Sequence, residues 1–342
     1  MARTTIAVLL AGIAVLTQPA LAQSVEEFYR GKSIEFIVST GAGAPYDVWA
    51  RAIGRHMGKH IPGNPNFIVK NMPGGGHTIA ANHLYNQAPR DGTAVAMVAR
   101  NMPTQELLGN AALKFKTANI NWIGASESSN RVCVIDARSK VRKVEDMRDQ
   151  EVVFGSSGAG SGGATTPILV SKLLGFKAKV VSGYTANPEV FLAMDRGEVE
   201  ALCQNLDGVE SNRPGALAAG KLRLLFNLER KPVSLAGISA PSIIQFTTTE
   251  EQRQILAFYN SNNELGWPMA TTPDVPKDRL DALRRGFDAM MKDATFLEDA
   301  KKAGLRVSPM TAAETTAIAQ GIAATPKSII DKTTEIAGPM SE

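Results

Sequence analysis

Three glycine-rich segments, each following an apolar run and each opening a helical pattern, constrain this chain more than any other feature. They are Ser39 to Asp47 (Ser-Thr-Gly-Ala-Gly-Ala-Pro-Tyr-Asp), Asn71 to His77 (Asn-Met-Pro-Gly-Gly-Gly-His) and Gly155 to Gly163 (Gly-Ser-Ser-Gly-Ala-Gly-Ser-Gly-Gly). Strands that end in such turns and feed helices belong to parallel α/β units, whose ligands gather outside the carboxyl ends of the strands. Glycine lets the backbone come close to a ligand, and the helix that follows aims unpaired N–H groups and partial positive charge at it. Such a turn suits a carboxylate or a phosphate. No Gly-Lys-Ser/Thr tail follows any of the three and no catalytic triad is evident, so the pattern points to anion capture without chemistry.

The order of the patterns predicts two lobes. Ile34 to Val38 leads to a helix over Tyr46 to His60, Phe67 to Val69 leads to one over Thr78 to Gln87, and Ala94 to Ala99 follows. A second set on the same plan runs through Arg131 to Ile135, Val152 to Phe154, a helix over Ala164 to Leu174, Val180-Val181, a helix over Pro188 to Arg196, and Val199 to Leu202. Leu222 to Phe226 is expected to carry the chain back. The helical patterns at Arg279 to Met291, Thr295 to Ala303 and Ala312 to Ala324 are then expected to complete the first lobe. Hinge crossings are expected near residues 121–130 and 222–230. The domains expected are a leader at 1–22, lobe 1 at 23–125 and 226–342, and lobe 2 at 126–225. A chain of 342 residues, 44% of them apolar, has ample material for two cores.

Arg3, the apolar run Ile6 to Leu16 and the small-x-small site Ala20-Leu21-Ala22 read as a secretory leader cleaved before Gln23. No cysteine stands directly after the cleavage site, which favours a free periplasmic protein over a lipid-anchored one. The formal net charge of +4 is spread over mixed signs, which favours a small anion as partner rather than nucleic acid. Cys133 and Cys203, the only two cysteines, lie in apolar runs and read as two buried thiols, although an oxidising compartment also permits a disulfide.

Other motifs are weaker. Gly158 to Gly163 matches G-x-G-x-x-G, but Val180 to Tyr184 lacks the acidic residue that would hold a nucleotide ribose. Gly155-Ser156-Ser157-Gly158-Ala159 is one residue short of a nucleophile elbow, and all four histidines, His56, His60, His77 and His83, precede the second lobe. His56 and His60 could share a metal at i, i+4 spacing, but their place at a helix end suits a cation completing the helix dipole. Asp47 stands in the first turn of its helix, where it can cap or can accept a hydrogen bond from a ligand. His77 stands inside a turn, where its ring can reach an anion or merely face solvent. No cofactor and no metal is expected.

At these residues the chain resembles the periplasmic solute-binding receptors of tripartite tricarboxylate transporters, also called Bordetella uptake gene receptors. The likeness starts at Tyr29-Arg30-Gly31-Lys32-Ser33-Ile34 and runs through the Asp47 turn, Asn71 to Gly76 and Ala88-Pro89-Arg90-Asp91-Gly92-Thr93. It continues at Gly155 to Ser161, Ala219-Gly220-Lys221-Leu222-Arg223 and Pro273 to Leu283. The resemblance implies a two-lobed α/β fold of the type II periplasmic binding protein kind, with a hinge and an interlobe ligand cleft. It implies no enzymatic activity, a small organic carboxylate as ligand, transporter membrane subunits as partners, and a monomer. By motif position it implies ligand contacts from Thr40, Gly41, Ala42 and Asp47 in the first turn and from Gly74, Gly75, Gly76 and His77 in the second. Ser157 and Ser161 would face them, with Tyr184 and Asn205 as further contacts. The chain departs from the family pattern at Ala44-Pro45-Tyr46, at Met72 where arginine is usual, and at His77 where glycine is usual. A secreted hydrolase using Ser157, or a ligand sensor for a signalling partner, are the alternatives.

Overall fold

Two sheets built on one topological plan carry the chain. The computed structural model describes residues 23–127, 130–156, 161–229, 233–235 and 237–337, so the leader and Ser157 lie outside the described residues. In the first sheet β1 (Ser33–Val38) lies between its parallel neighbours β2 (Asn66–Asn71) and β3 (Ala94–Met97). The chain leaves β1 to one side and returns on the other, which opens a switch point beyond the carboxyl ends of β1 and β3. β4 (Asn121–Ala125) joins the same sheet.

The second sheet takes β5 (Arg131–Asp136), β6 (Val152–Ser156), β7 (Ala178–Ser182), β8 (Ala201–Asn205) and β9 (Leu222–Asn227), in the order β7-β6-β8-β5-β9. β6 lies between the parallel strands β7 and β8, so its carboxyl end is again a switch point. A hairpin of β10 (Val233–Leu235) and β11 (Ile238–Ala240) follows. The helix Glu250–Leu265 then leads back to the first sheet as β12 (Pro268–Thr271), antiparallel to β3 and β4, and β13 (Met310–Thr311) closes that sheet's edge.

The return to the first sheet comes at Gly266, whose φ of +64° ends the helix, and not at 222–230. The tail after residue 226 is also shared between the lobes. Leu283, Phe287 and Phe296, from the helices Lys277–Met290 and Ala294–Lys302, join the first core around Phe36, Trp49 and Trp122. Ile255, Leu256, Ile329 and Ile330, from the helices Glu250–Leu265 and Lys327–Ala337, pack instead with Phe154, Leu169 and Phe226 of the second sheet. Its other face is covered by Val190 and Phe191 against Val132 and Leu202. An amphipathic helix carries no mark of which sheet it will cover, so the pattern alone could not divide the tail.

Between the sheets the chain passes in hydrogen-bonded register. The Ser126 N–H donates to the Trp267 carbonyl at 3.1 Å, the Trp267 N–H to the Glu127 carbonyl at 3.1 Å, and the Ser308 N–H to the Ser126 carbonyl at 3.2 Å. The segments at Ser126-Glu127 and Trp267 cross between the sheets, while Ser308 lies in the first lobe's own link into β13, and two crossings bonded side by side suit a hinge.

One sequence expectation is corrected here. Cys133 and Cys203, expected as two buried thiols, form a disulfide. The antiparallel register of β5 and β8 sets them directly opposite each other, with Cα atoms 4.0 Å apart. His56 and His60 are each engaged by a carboxylate: His56 Nε2 meets Asp299 at 2.9 Å and His60 Nε2 meets Asp293 at 2.8 Å, clamping their helix end to the helix Ala294–Lys302. Among the described residues no cluster could hold a metal ion, and no helix is long and apolar enough to cross a membrane.

Candidate functional site

The first turn leaves β1 at Ser39 and enters the helix Pro45–His56, whose proline occupies the first helical turn, where no N–H is required. Asp47 is 2% exposed and both of its oxygens are taken. Oδ2 accepts from the Gly43 N–H at 2.8 Å and from Arg51 Nε at 2.9 Å, while Oδ1 accepts from Asn71 Nδ2 at 2.9 Å. Asn71 Nδ2 also donates to the Thr40 carbonyl at 2.8 Å. Burial alone would raise the Asp47 carboxyl, but the bonds from Arg51, Gly43 and Asn71 prevail and hold it below the usual carboxylate range. The carboxylate is thus a brace that fastens the first turn to the end of β2, where the second turn begins.

The second turn needs its glycines. Gly74 and Gly75 have φ of +118° and +59°, and a Cβ on them would come within 2.9 Å of Ile79 Cδ1 and 2.6 Å of Thr78 Oγ1. His77, at φ +71°, occupies the left-handed region that suits the glycine usual in the family pattern. Its Nδ1 lies 3.0 Å from Ser39 Oγ, which joins the two turns, and its ring is 5.7 Å from that of Tyr46. Among the described residues the backbone N–H groups of Gly41, Ala42, Gly74 and Gly75 meet no protein acceptor.

On the opposing lobe, Ser161 caps the helix Gly162–Leu174, its Oγ accepting from the Ala164 N–H at 3.3 Å. Tyr184 lies over Gly155 at the end of β6, and its N–H donates to the Ser156 carbonyl at 3.4 Å. Asn205 stands at the N-cap of the helix Leu206–Asn212 without capping it, and its Oδ1 is buried with no partner. Further buried side-chain atoms without partners are Thr40 Oγ1 beside the first turn, Asn101 Oδ1 beyond β3, and Ser126 Oγ in the hinge. An unpaired buried polar atom costs about 1–3 kcal/mol, and these four follow strand ends or lie in the hinge, while Glu35, Gln204, Glu210, Arg223 and Arg279 carry such atoms elsewhere.

Sequence reasoning passed over the residues that follow β3 in the first lobe and the one that opens the antiparallel strand β5 in the second. Arg100 and Asn101 follow β3, and the Arg100 N–H donates to Tyr46 Oη at 3.1 Å while its guanidinium stacks 5.5 Å over the Trp267 ring. Trp267, read from sequence as core packing, meets Tyr46 edge to face at 4.6 Å. Arg131 opens β5 opposite Asn205. The rule that ligands gather at carboxyl strand ends would have pointed to Arg100 and Asn101 directly after Ala94 to Ala99. The groove of about 570 Å³ on the outer side of the helix Pro45–His56 is elsewhere, lined by Arg51, Arg55 and Lys59, which pair with Asp47, Asp299 and Asp293.

Behind Arg131, burial and the neighbouring Glu264 push the Glu229 carboxyl up to about 7, against bonds from the Arg131 N–H and Asn260. The folded chain therefore keeps a proton that the unfolded chain releases near pH 4.5. The stability this proton contributes is complete below about pH 4.5 and lost as pH rises to about 7, an amount of roughly 3 kcal/mol. Asp47, Asp293 and Asp299, held low by their partners, act in the opposite sense at lower pH. Melting of wild type and Glu229→Gln across this window should show the wild type losing ground to the variant as pH rises. Parallel curves would mean that Glu229 titrates as an ordinary carboxyl.

The profile of the TctC family, tripartite tricarboxylate transporter family receptor, matches residues 50–334. No curated protein sequence matches. A TctC solute-binding protein from Polaromonas, solved without ligand, is similar in structure at 20% identity, covering 89% of this chain and 99% of its own, with a TM-score of 0.69. MatC from Rhodopseudomonas palustris with bound malate is 14% identical over 88% of this chain and 99% of its own, with a TM-score of 0.50. A second R. palustris protein, solved with adipate, is 16% identical over 90% and 98%, with a TM-score of 0.51. At these identities the likeness is one of fold, and the fold is the two-lobed periplasmic binding protein architecture.

Proposed function

The chain belongs to the tripartite tricarboxylate transporter receptor family, and from that premise we propose that it captures a small organic carboxylate between its two sheets and hands it to the membrane subunits of such a transporter. The observation that carries this reading is the pairing of unused N–H groups on two turns with the unpartnered Thr40, Asn101, Ser126 and Asn205 atoms. Malate and adipate, the ligands named for two structural neighbours, are small dicarboxylates of the size this chemistry suits.

In this reading the N–H groups at Gly41, Ala42, Gly74, Gly75 and Gly76 hold one carboxylate, with Thr40 and His77 beside it. Ser157, Ser161, Tyr184 and Asn205 close from the opposing lobe. Asp47 holds the first turn in shape and does not touch the ligand. Closure about the hinge shifts an open–closed equilibrium that the transporter reads. Cleavage after Ala22 delivers the mature chain to the periplasm as a monomer.

No catalytic step belongs to this function. Every histidine is engaged within the first lobe: His56 with Asp299, His60 with Asp293, His77 with Ser39, and His83 with Gln87.

Titration calorimetry with dicarboxylates and their amides tests the proposal. Converting the gripped carboxylate to an amide removes charge-assisted hydrogen bonds worth about 1.5–3 kcal/mol, so affinity should fall roughly ten- to a hundredfold. An amide that binds as well as its acid would remove carboxylate recognition from the account.

A further inference from the structure

Arg131 is held in a place that suits a cation badly. Its guanidinium lies against Gly162, the first residue of the helix Gly162–Leu174, so closely that a Cβ there would fall 1.9 Å from Nη1. A helix N-terminus carries partial positive charge, so the guanidinium faces a like charge. Its Nε is buried with no hydrogen-bond partner. Glu229 meets Arg131 through the backbone N–H at 3.2 Å, not through the guanidinium. Burial pushes the Arg131 guanidinium below its ordinary value, with Arg100 acting in the same sense and Tyr259 and Glu229 acting against it. Arginine stays protonated even so.

Positive charge from two guanidinium groups and one helix end therefore meets where the lobes face each other. Arg100 stands on the first-lobe wall with Tyr46 and Trp267, and Arg131 stands on the second-lobe wall beside Asn205. Among the described residues no carboxylate forms an ion pair with either. Glu229 and Glu127 act on Arg131 and Arg100 only at a distance, so an anion between the two guanidinium groups would be held by both, and a guanidinium fork matches a carboxylate through two parallel hydrogen bonds.

We propose that Arg131, assisted by Arg100, binds a second carboxylate of the ligand at the end remote from the glycine turns, which makes Arg131 the residue that selects dicarboxylates over monocarboxylates. This inference rests on the receptor reading and adds to it a charged anchor on the second lobe. The backbone turns hold one end of the ligand without regard to what lies beyond, and the guanidinium tests the other end.

The experiment compares succinate, glutarate and adipate with their monoamides by calorimetry on wild type, Arg131→Gln, Arg131→Lys and Arg100→Gln. Thermal melts without ligand check that each variant folds. In wild type the best diacid should bind at least about tenfold more tightly than its monoamide. Arg131→Gln should weaken the diacid by about a hundredfold while moving the monoamide less than about threefold. Arg131→Lys should restore part of the preference, since it returns the charge without the fork, and Arg100→Gln should reduce it less. Should Arg131→Gln fail to fold, a lowered preference in Arg131→Lys and Arg100→Gln supports the proposal and an unchanged one overturns it. Equal weakening of diacid and monoamide in Arg131→Gln also overturns it, leaving the receptor reading intact. Binding of no carboxylate by folded wild type would overturn the receptor reading itself.

Discussion

Asp47→Ala is expected to cost about 1–3 kcal/mol of unfolding free energy and to abolish measurable ligand capture, because it strips the buried acceptor from the Gly43 and Asn71 donors at once. The Gly43 N–H and one Asn71 amide hydrogen lose their partner inside the protein. Arg51, with 47% of its side chain exposed, finds water and contributes little to the loss. The damage spreads because Asn71 joins the Asp47 carboxylate to the Thr40 carbonyl, so both anion-gripping turns lose their common anchor. Asp47→Asn should lose less, since an amide oxygen still accepts one of the bonds. Urea unfolding at neutral pH, with the slope held constant, reads the first effect and calorimetry reads the second. A loss below about 1 kcal/mol would mean that the brace is slack and that the turns are held by something else.

Removing the disulfide by Cys133→Ala with Cys203→Ala is expected to lower stability by about 4 kcal/mol, since the bond closes a loop with a sequence separation of 70. The fold should survive, because β5 and β8 stay paired through their backbone ladder. Thiol titration of the unreduced protein in denaturant should find no reactive thiol. Two thiols appearing there would return these residues to the buried-thiol reading and remove the expected stability loss.

What could be read in the sequence, and what could not, divides along physical lines. The glycine turns after β1 and β2 were legible because positive φ and close approach select glycine locally, as at Gly43, Gly74 and Gly75. The return to the first sheet was not, because the helix Glu250–Leu265 is apolar on one face whichever sheet it covers. Asp47 could be seen as a first-turn acid, but its role depends on Asn71, which is brought to it only when β2 pairs with β1. The disulfide depends in the same way on register between strands that are distant in sequence. Arg100 and Arg131 were passed over because an arginine at the edge of an apolar run reads as solvated until the topology places it between the lobes.

The central claim is that one ligand carboxylate is held by backbone N–H groups of the first two turns, in the cleft between the sheets. A crystal structure of the protein grown with the tightest-binding dicarboxylate tests it most directly. The account predicts carboxylate oxygens within about 3.2 Å of N–H groups among Gly41, Ala42, Gly74 and Gly75, with the second lobe closed over the far end. A carboxylate bound outside the cleft, or held in it by side chains with those N–H groups turned away, would contradict the account.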